Sequence, residues 1–144
     1  MIVVDANLLF YAYDFGSSKH NQAKEWLARV LDSDYPVGLP LPSVSAFLRV
    51  STNHRLPGER FSMEESIRII ETWFDQPNVR LLLPGDRHWP YLKRLLIAGQ
   101  VRGSLISDAQ LSLEVGGELH TTDRDFSRFP GLRWTNPLEE GKHT

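Results

Sequence analysis

Four aspartates stand where they could do chemistry together. Asp5 ends an apolar run, Ile2-Val3-Val4. Asp108 lies in Ser107-Asp108-Ala109, with Leu105, Ile106, Ala109 and Leu113 around it in sequence. Asp123 and Asp125 fall in Thr121-Thr122-Asp123-Arg124-Asp125-Phe126. A carboxylate among apolar neighbours is poorly solvated and needs a cation, a proton or a hydrogen-bond donor. Several carboxylates gathered in one place repel, and a divalent hard cation relieves the repulsion. Oxygen-only ligands select Mg²⁺ or Mn²⁺ over Zn²⁺. A metal so held grips a phosphodiester oxygen, lowers the pKa of bound water and stabilises the leaving oxygen. Each acid also has a plainer role. Asp5 could cap the next helix, Asp108 could complement a helix N-terminus, and Asp123 with Asp125 could close an Asx turn.

The acids converge only if the elements carrying them end at one edge. A short continuous apolar run such as Ile2-Val3-Val4 reads as a strand buried on both faces, at the middle of a parallel sheet. Asp5 then sits at the carboxyl end, where open α/β sheets place their ligands. A short helix follows at 6–13. Ser17-Ser18 offers a cap for a second helix at 19–31, whose Ala23, Trp26, Leu27, Val30 and Leu31 share a face. His20 in its first turn reads as a surface or capping residue. A proline-rich strand at 37–41 is expected near a sheet edge. Ser43 is expected to cap a third helix, 44–52. Ser62 with Glu65 is a capping box opening a fourth helix that ends near Phe74. Strand 79–83 leads to Asp86 as cap of a helix at 90–98. A helix at 104–115 is stopped by Gly116-Gly117. Strands at 118–121 and 132–135 close the chain, and the tail 136–144 is expected to fray. Strands alternating with helices predict one α/β domain over 1–144. It is a single parallel sheet of about five strands with helices on both faces, an α/β/α sandwich.

Bulk composition agrees. The chain has 144 residues, 41% hydrophobic and 24% charged, in the range of folded domains. It has no cysteine, so disulfides and thiolate metal sites are excluded. No basic segment with a long apolar run opens it, and no run approaches a membrane span; the expected location is cytoplasmic. With a net charge of −2, nucleic-acid binding must rest on a local basic surface.

At the acidic stretches the chain resembles PIN-domain proteins, and among them the VapC ribonuclease toxins of toxin–antitoxin pairs. The matching stretches are Val3-Val4-Asp5-Ala6-Asn7, Phe47-Leu48-Arg49-Val50 with Thr52-Asn53, Ser107-Asp108-Ala109, and Thr121 to Phe126. Phe129-Pro130-Gly131-Leu132 and Asn136-Pro137 stand behind them. The resemblance implies a PIN-like fold and Mg²⁺- or Mn²⁺-dependent RNA cleavage. It implies Asp5, Asp108 and Asp123 as metal ligands and Asp125 as an accessory catalytic acid. Asn7 and Thr122 match polar positions lining such a site. It further implies a homodimer and a cognate, VapB-like antitoxin whose peptide enters the active groove. One departure stands out: the family's glutamate in the helix after the second strand is missing. Its place falls near Val44 or Phe47, and Ser43 or Ser45 could hold a metal-bound water instead.

A polyanion also needs a cationic rim. Candidates are Arg49, on the helix bordering the expected groove, and Arg124, with Arg55, Arg102, Arg128 and His54 as further members. Trp26, Trp73 and Trp134 read as core. Two other acid-based classes fit poorly. A phosphoacceptor receiver needs an acidic pair before the first-strand Asp, and a haloacid-dehalogenase-type phosphatase needs Asp-x-Asp where this chain has Asp5-Ala6-Asn7. A PIN-like module that binds RNA or a protein without cutting is the remaining alternative.

Overall fold

The computed structural model describes residues 1–58, 60–99 and 103–139. Its centre is strand β1, Ile2–Val4, paired in parallel on both sides. Val3 and Val4 are adjacent and both fully buried, yet they enter different cores, because successive strand side chains point to opposite faces. That is the physical meaning of the uninterrupted apolar run.

On one side of β1 lies β2, Val37–Pro40, and outside it β3, Val79–Leu82. On the other lie β4, Glu118–His120, and then β5, Trp134–Thr135. All pairings are parallel, in the order β3-β2-β1-β4-β5. The chain builds outward from β1 in one direction and returns to build in the other. The crevice between the carboxyl ends of β1 and β4 is therefore the sheet's topological switch point, where such sheets bind ligands.

Helices cover both faces. Over one pack α1 (Ala6–Tyr11), α2 (His20–Leu31), α3 (Leu41–Ser51) and α4 (Met63–Phe74), through Leu8, Trp26, Phe47 and Trp73 among others. Over the other pack α5 (His88–Gly99), α6 (Gly103–Glu114) and a short 3-10 helix (Arg124–Arg128), through Leu95, Ile106, Ala109 and Phe126. Gly38 belongs to this second face. A Cβ there would lie 2.6 Å from Leu82 Cδ1 and 2.9 Å from the Met1 sulfur, so only glycine fits the present packing.

Several local expectations hold. The capping box is complete, with Glu65 N donating to Ser62 Oγ at 3.1 Å and Ser62 N to Glu65 Oε1 at 3.2 Å. Helix α6 closes in a Schellman arrangement. Gly116 takes a φ of 62° while Gly117 N donates to Ser112 O at 2.9 Å and Gly116 N to Leu113 O at 3.1 Å. Trp26 and Trp73 are core residues.

Others are corrected. Strand β2 is interior, not at an edge: its prolines flank the ladder, Pro36 before it and Pro40 at its last residue. Helix α3 starts earlier than expected. Pro40 is its N-cap and proline occupies its first turn, where the missing N–H is harmless. Ser43 is thus inside the helix and not its cap. Lys19, not a serine, is the N-cap residue of α2, and Ser17 Oγ accepts from Lys19 N at 3.1 Å. Asp86 does not cap α5, which starts at His88. His20 is buried, its Nδ1 3.0 Å from the Tyr11 carbonyl and its ring against Phe15. The turn after β4 is a 3-10 helix. The tail is held as far as position 139: Leu138 packs on the first core and Glu139 pairs with Arg124. Positions 140–144 and Arg102 lie outside the described residues.

Candidate active site

The site forms at the switch point. Asp5 leaves β1 in extended conformation, its backbone N–H donating to the His120 carbonyl of β4 at 3.0 Å. Its side chain has two partners. Oδ1 accepts from Ala6 N at 2.8 Å, capping α1, and Oδ2 accepts from Thr121 Oγ1 at 2.7 Å. The capping role and the site role are therefore the same residue's two oxygens. Thr121 is fully buried, and its hydroxyl oxygen also accepts from Asp123 N at 3.0 Å. Asp123 Oδ1 accepts in turn from Asp125 N at 2.9 Å, the Asx-type turn that starts the 3-10 helix. One run of hydrogen bonds thus ties the first strand to the loop after the fourth.

Asp108 meets Asp5 from the opposite wall. It lies in the middle of α6, not at its N-terminus, and is 5% exposed against 7% for Asp5. Ser43 Oγ donates to Asp108 Oδ1 at 3.2 Å across the α3–α6 boundary. The two carboxyls lie close enough for each to shift the titration of the other. Burial pushes Asp5 above the usual carboxylate range, while Thr121, Asp108 and the Ala6 amide pull it down and the charge of Asp123 pushes it up. Burial likewise holds Asp108 well above that range; the Asp5 charge adds to the rise and Ser43 opposes it. Burial without a counter-ion thus disfavours the charged form of both acids, Asp108 above all. Among the described residues no Lys, Arg or His side chain pairs with either acid.

The sequence candidates separate accordingly. Asp5 and Asp108 are brought together, with Ser43. Asp123 is near enough for its charge to be felt at Asp5, while Asp125 is exposed and enters only through its backbone N–H. Asn7 is half-buried, two positions beyond Asp5, and its Oδ1 is buried with no hydrogen-bond partner. Ser45 is exposed, so of the two serines it is Ser43 that reaches the acids. Thr122 is half-buried and no hydrogen bond joins it to them. Val44 and Phe47, where a helix acid was expected and is missing, are core residues; the Phe47 ring lies 4.8 Å from that of Trp73. Arg49 is exposed on α3, as are His54, Arg55 and Arg128 elsewhere, and Arg124 is exposed and paired with Glu139 at 3.2 Å. Thr121 is the residue that sequence reasoning missed. The signal was strand alternation: Leu119 and Thr121 are both fully buried, whereas His120 and Thr122 are half-buried.

A divalent cation fits this donor set. Two buried carboxylates have no positive partner among the described residues, and an orphaned amide oxygen, that of Asn7, stands close in sequence. Every donor is oxygen. Among the described residues no three acids or histidines are grouped closely enough to hold a metal ion, so Asp123, expected as a third ligand, does not join the pair. Two carboxylates with water in the remaining positions are within what Mg²⁺ accepts.

No protein-family model matches the chain. Its curated relatives are informative. Ribonuclease VapC33 of Mycobacterium tuberculosis is 36% identical over 143 residues, covering 97% of this chain and 100% of that one. VapC ribonuclease Mb2897 of Mycobacterium bovis is 34% identical over 146 residues, covering 99% of both. Among solved structures, VapBC-1 from nontypeable Haemophilus influenzae superposes with a TM-score of 0.73 at 18% identity, covering 96% of this chain and 100% of that one. VapC20 of Mycobacterium tuberculosis, described as a sarcin-ricin loop cleaving toxin, has a TM-score of 0.67 at 16% identity, covering 92% and 99%. The structures share the fold, and the end-to-end sequence matches go further: the chain belongs to the VapC ribonuclease family.

Proposed function

We propose that this chain is an endoribonuclease, the toxin of a toxin–antitoxin pair, and that it cuts RNA phosphodiester bonds with Mg²⁺ or Mn²⁺. The carrying observation is the buried Asp5–Asp108 pair, set at the switch point of the sheet, with no cationic side chain against it among the described residues. Asp5 and Asp108 are the residues that would hold the ion, with Asp123 as the outer acid. When bound, the ion supplies a polarised water and charge stabilisation at the phosphate. Thr121 fixes the rotation of the Asp5 carboxylate and ties it to the Asp123 backbone. Ser43 holds Asp108 and favours its charged form. Asp125 stands outside, beside the path of an approaching strand, and Asn7 offers its free oxygen.

Because burial raises both acids above the ordinary range, activity should rise with pH as they ionise. The exposed Arg49, and Arg124 on the far wall, are the proposed phosphate contacts, so binding should weaken with salt. Several structural neighbours are VapBC complexes of toxin with antitoxin, and we assign this chain an antitoxin partner of the same kind. The apolar groove between α2 and the segment before it, about 370 Å³ and lined by Tyr13, Phe15, Leu27 and Leu31, suits an apolar segment of it. A homodimer is part of the same reading.

The test is RNA cleavage with and without Mn²⁺, in the parent chain and in Asp5→Asn. Metal-dependent cleavage that is lost in the variant is expected. Full activity in Asp5→Asn refutes the assignment. One observation favours a second reading, an RNA- or protein-binding module that does not cut: α3 brings a hydroxyl, Ser43, and no acid to the site. Calorimetric titration that detects no Mn²⁺ binding at millimolar metal decides for the module.

A further inference from the structure

Charge is segregated along this chain. Residues 79–99 carry Arg80, Arg87, Lys93 and Arg94 against one acid, Asp86, in a protein whose net charge is −2. Two large aromatics are interleaved with them and lie open, Trp89 at 60% exposure and Tyr91 at 39%. A tryptophan so exposed on a helix is not core. Along α5 and the residue before it, Arg87, the spacing sorts these residues into two stripes. Arg87, Tyr91 and Arg94 fall at i, i+4 and i+7, one face; Trp89 and Lys93 fall at i and i+4 beside it.

The first stripe lines a cleft of about 700 Å³ between α5 and α6. Within it the Arg94 guanidinium lies 5.7 Å from the Tyr91 ring centre, so ring and cation form one stacked unit. The floor is the nearly buried Gln110, whose amide donates to Glu114 Oε1 at 3.2 Å. Glu114 is exposed and lines the same cleft, and its Oε1 lies 3.2 Å from His88 Nδ1, so its carboxylate is engaged by two neighbours on the wall, His88 and Gln110. Asp86 is the one unengaged acid at the rim. A pocket with an apolar wall, a stackable ring, a fixed amide and two guanidiniums has the chemistry of a nucleobase site with its phosphate.

We infer that this cleft is a second RNA-binding site, an exosite that stacks an unpaired base on Tyr91 and holds the adjoining phosphates with Arg87 and Arg94. The inference rests on the ribonuclease reading for its choice of ligand. Gln110 is two positions beyond Asp108 on α6, so the cleft and the acid pair lie on opposite sides of one helix, which is about 10 Å across. A strand cut at the acids reaches the cleft within a few nucleotides. The exosite therefore selects substrates with an unpaired base at a set distance from the scissile bond, and it does so without touching the reaction.

The test compares Arg87→Ala/Arg94→Ala, Tyr91→Ala and Tyr91→Phe with the parent, on a long RNA and on a dinucleotide too short to round the helix. For long RNA the double variant should raise KM about ten-fold at unchanged kcat and flatten the salt dependence of binding by about two contacts. Tyr91→Ala should do likewise through lost stacking, and Tyr91→Phe should restore the parent value. Dinucleotide cleavage should not change, nor should the thermal transition, because all three side chains are exposed. Equal KM for long RNA in parent and double variant overturns the exosite while leaving the ribonuclease intact. So does a double variant that loses an acidic polypeptide but binds RNA normally. Should the parent cleave neither substrate, the ribonuclease reading fails, and RNA binding by fluorescence anisotropy still decides the cleft.

Discussion

Replacing Asp108 with asparagine should stabilise the metal-free protein while removing its activity. The carboxyl of Asp108 is held well above the usual carboxylate range by burial and by the Asp5 charge. In the unfolded chain that perturbation is gone. A group whose folded pKa is raised contributes stability that is complete below the unfolded pKa and is lost as pH rises through the folded one. At neutral to alkaline pH the native pair must either keep a proton that water would take or carry two buried charges. Asparagine is neutral at every pH. Its Nδ2 can donate to Asp5, and its Oδ1 can accept from Ser43. Exchanging a poorly compensated buried charge for a neutral isostere gains about 1–3 kcal/mol. For a domain of this size that is roughly 3–10 °C in Tm. The assay is thermal unfolding by circular dichroism with chelator present, at about pH 8 and about pH 5. The gain should be larger at the higher pH. Millimolar Mn²⁺ should then reverse the order, because a ligand at a hundredfold its Kd adds about 2.7 kcal/mol to the parent and little to the variant. A variant less stable than the parent at about pH 8 without metal, or a gain independent of pH, refutes the reasoning.

Further outcomes follow from the same contacts. Ser43→Ala removes the donor to Asp108, leaves that carboxyl higher still, and should move the acid limb of the activity profile to higher pH, at about 1 kcal/mol of stability in chemical denaturation. Thr121→Val breaks the bonds to Asp5 and from Asp123 N together; it should cost about 2 kcal/mol and most of the cleavage rate, whereas Thr121→Ser should retain both. Gly38→Ala drives a methyl to within 2.6 Å of Leu82 and should lower the urea midpoint by about 1–3 kcal/mol of stability with no change in RNA affinity.

The architecture was legible because β1 is apolar on both faces and because helix ends at Ser62 and Gly116 carry strong local signals. The place of β2 was misjudged for a physical reason. Proline disqualifies a strand from the interior only where its missing N–H interrupts the ladder; Pro36 precedes β2 and Pro40 is its last residue, opposite Leu82. The acid pair was legible since Asp5 and Asp108 both interrupt apolar runs. The hydroxyls were not. Ser43 reads as a cap until the helix is seen to start at its prolines, and Thr121 and Thr122 are told apart only by strand alternation. The burial of His20 depends on a carbonyl nine positions earlier, which no local pattern announces.

The order in which the sheet is assembled also sets when the enzyme comes into being. The residue that fixes Asp5 is 116 positions away, and the central strand has an open flank until β4 arrives. A polypeptide emerging from the ribosome can lay down β1, β2 and β3 together with the helices over their first face and still lack the facing carboxyl. Assembly by such distant contacts is slow, and it comes late. A half-made copy thus lacks the facing acids, and the pair is completed only near the end of synthesis.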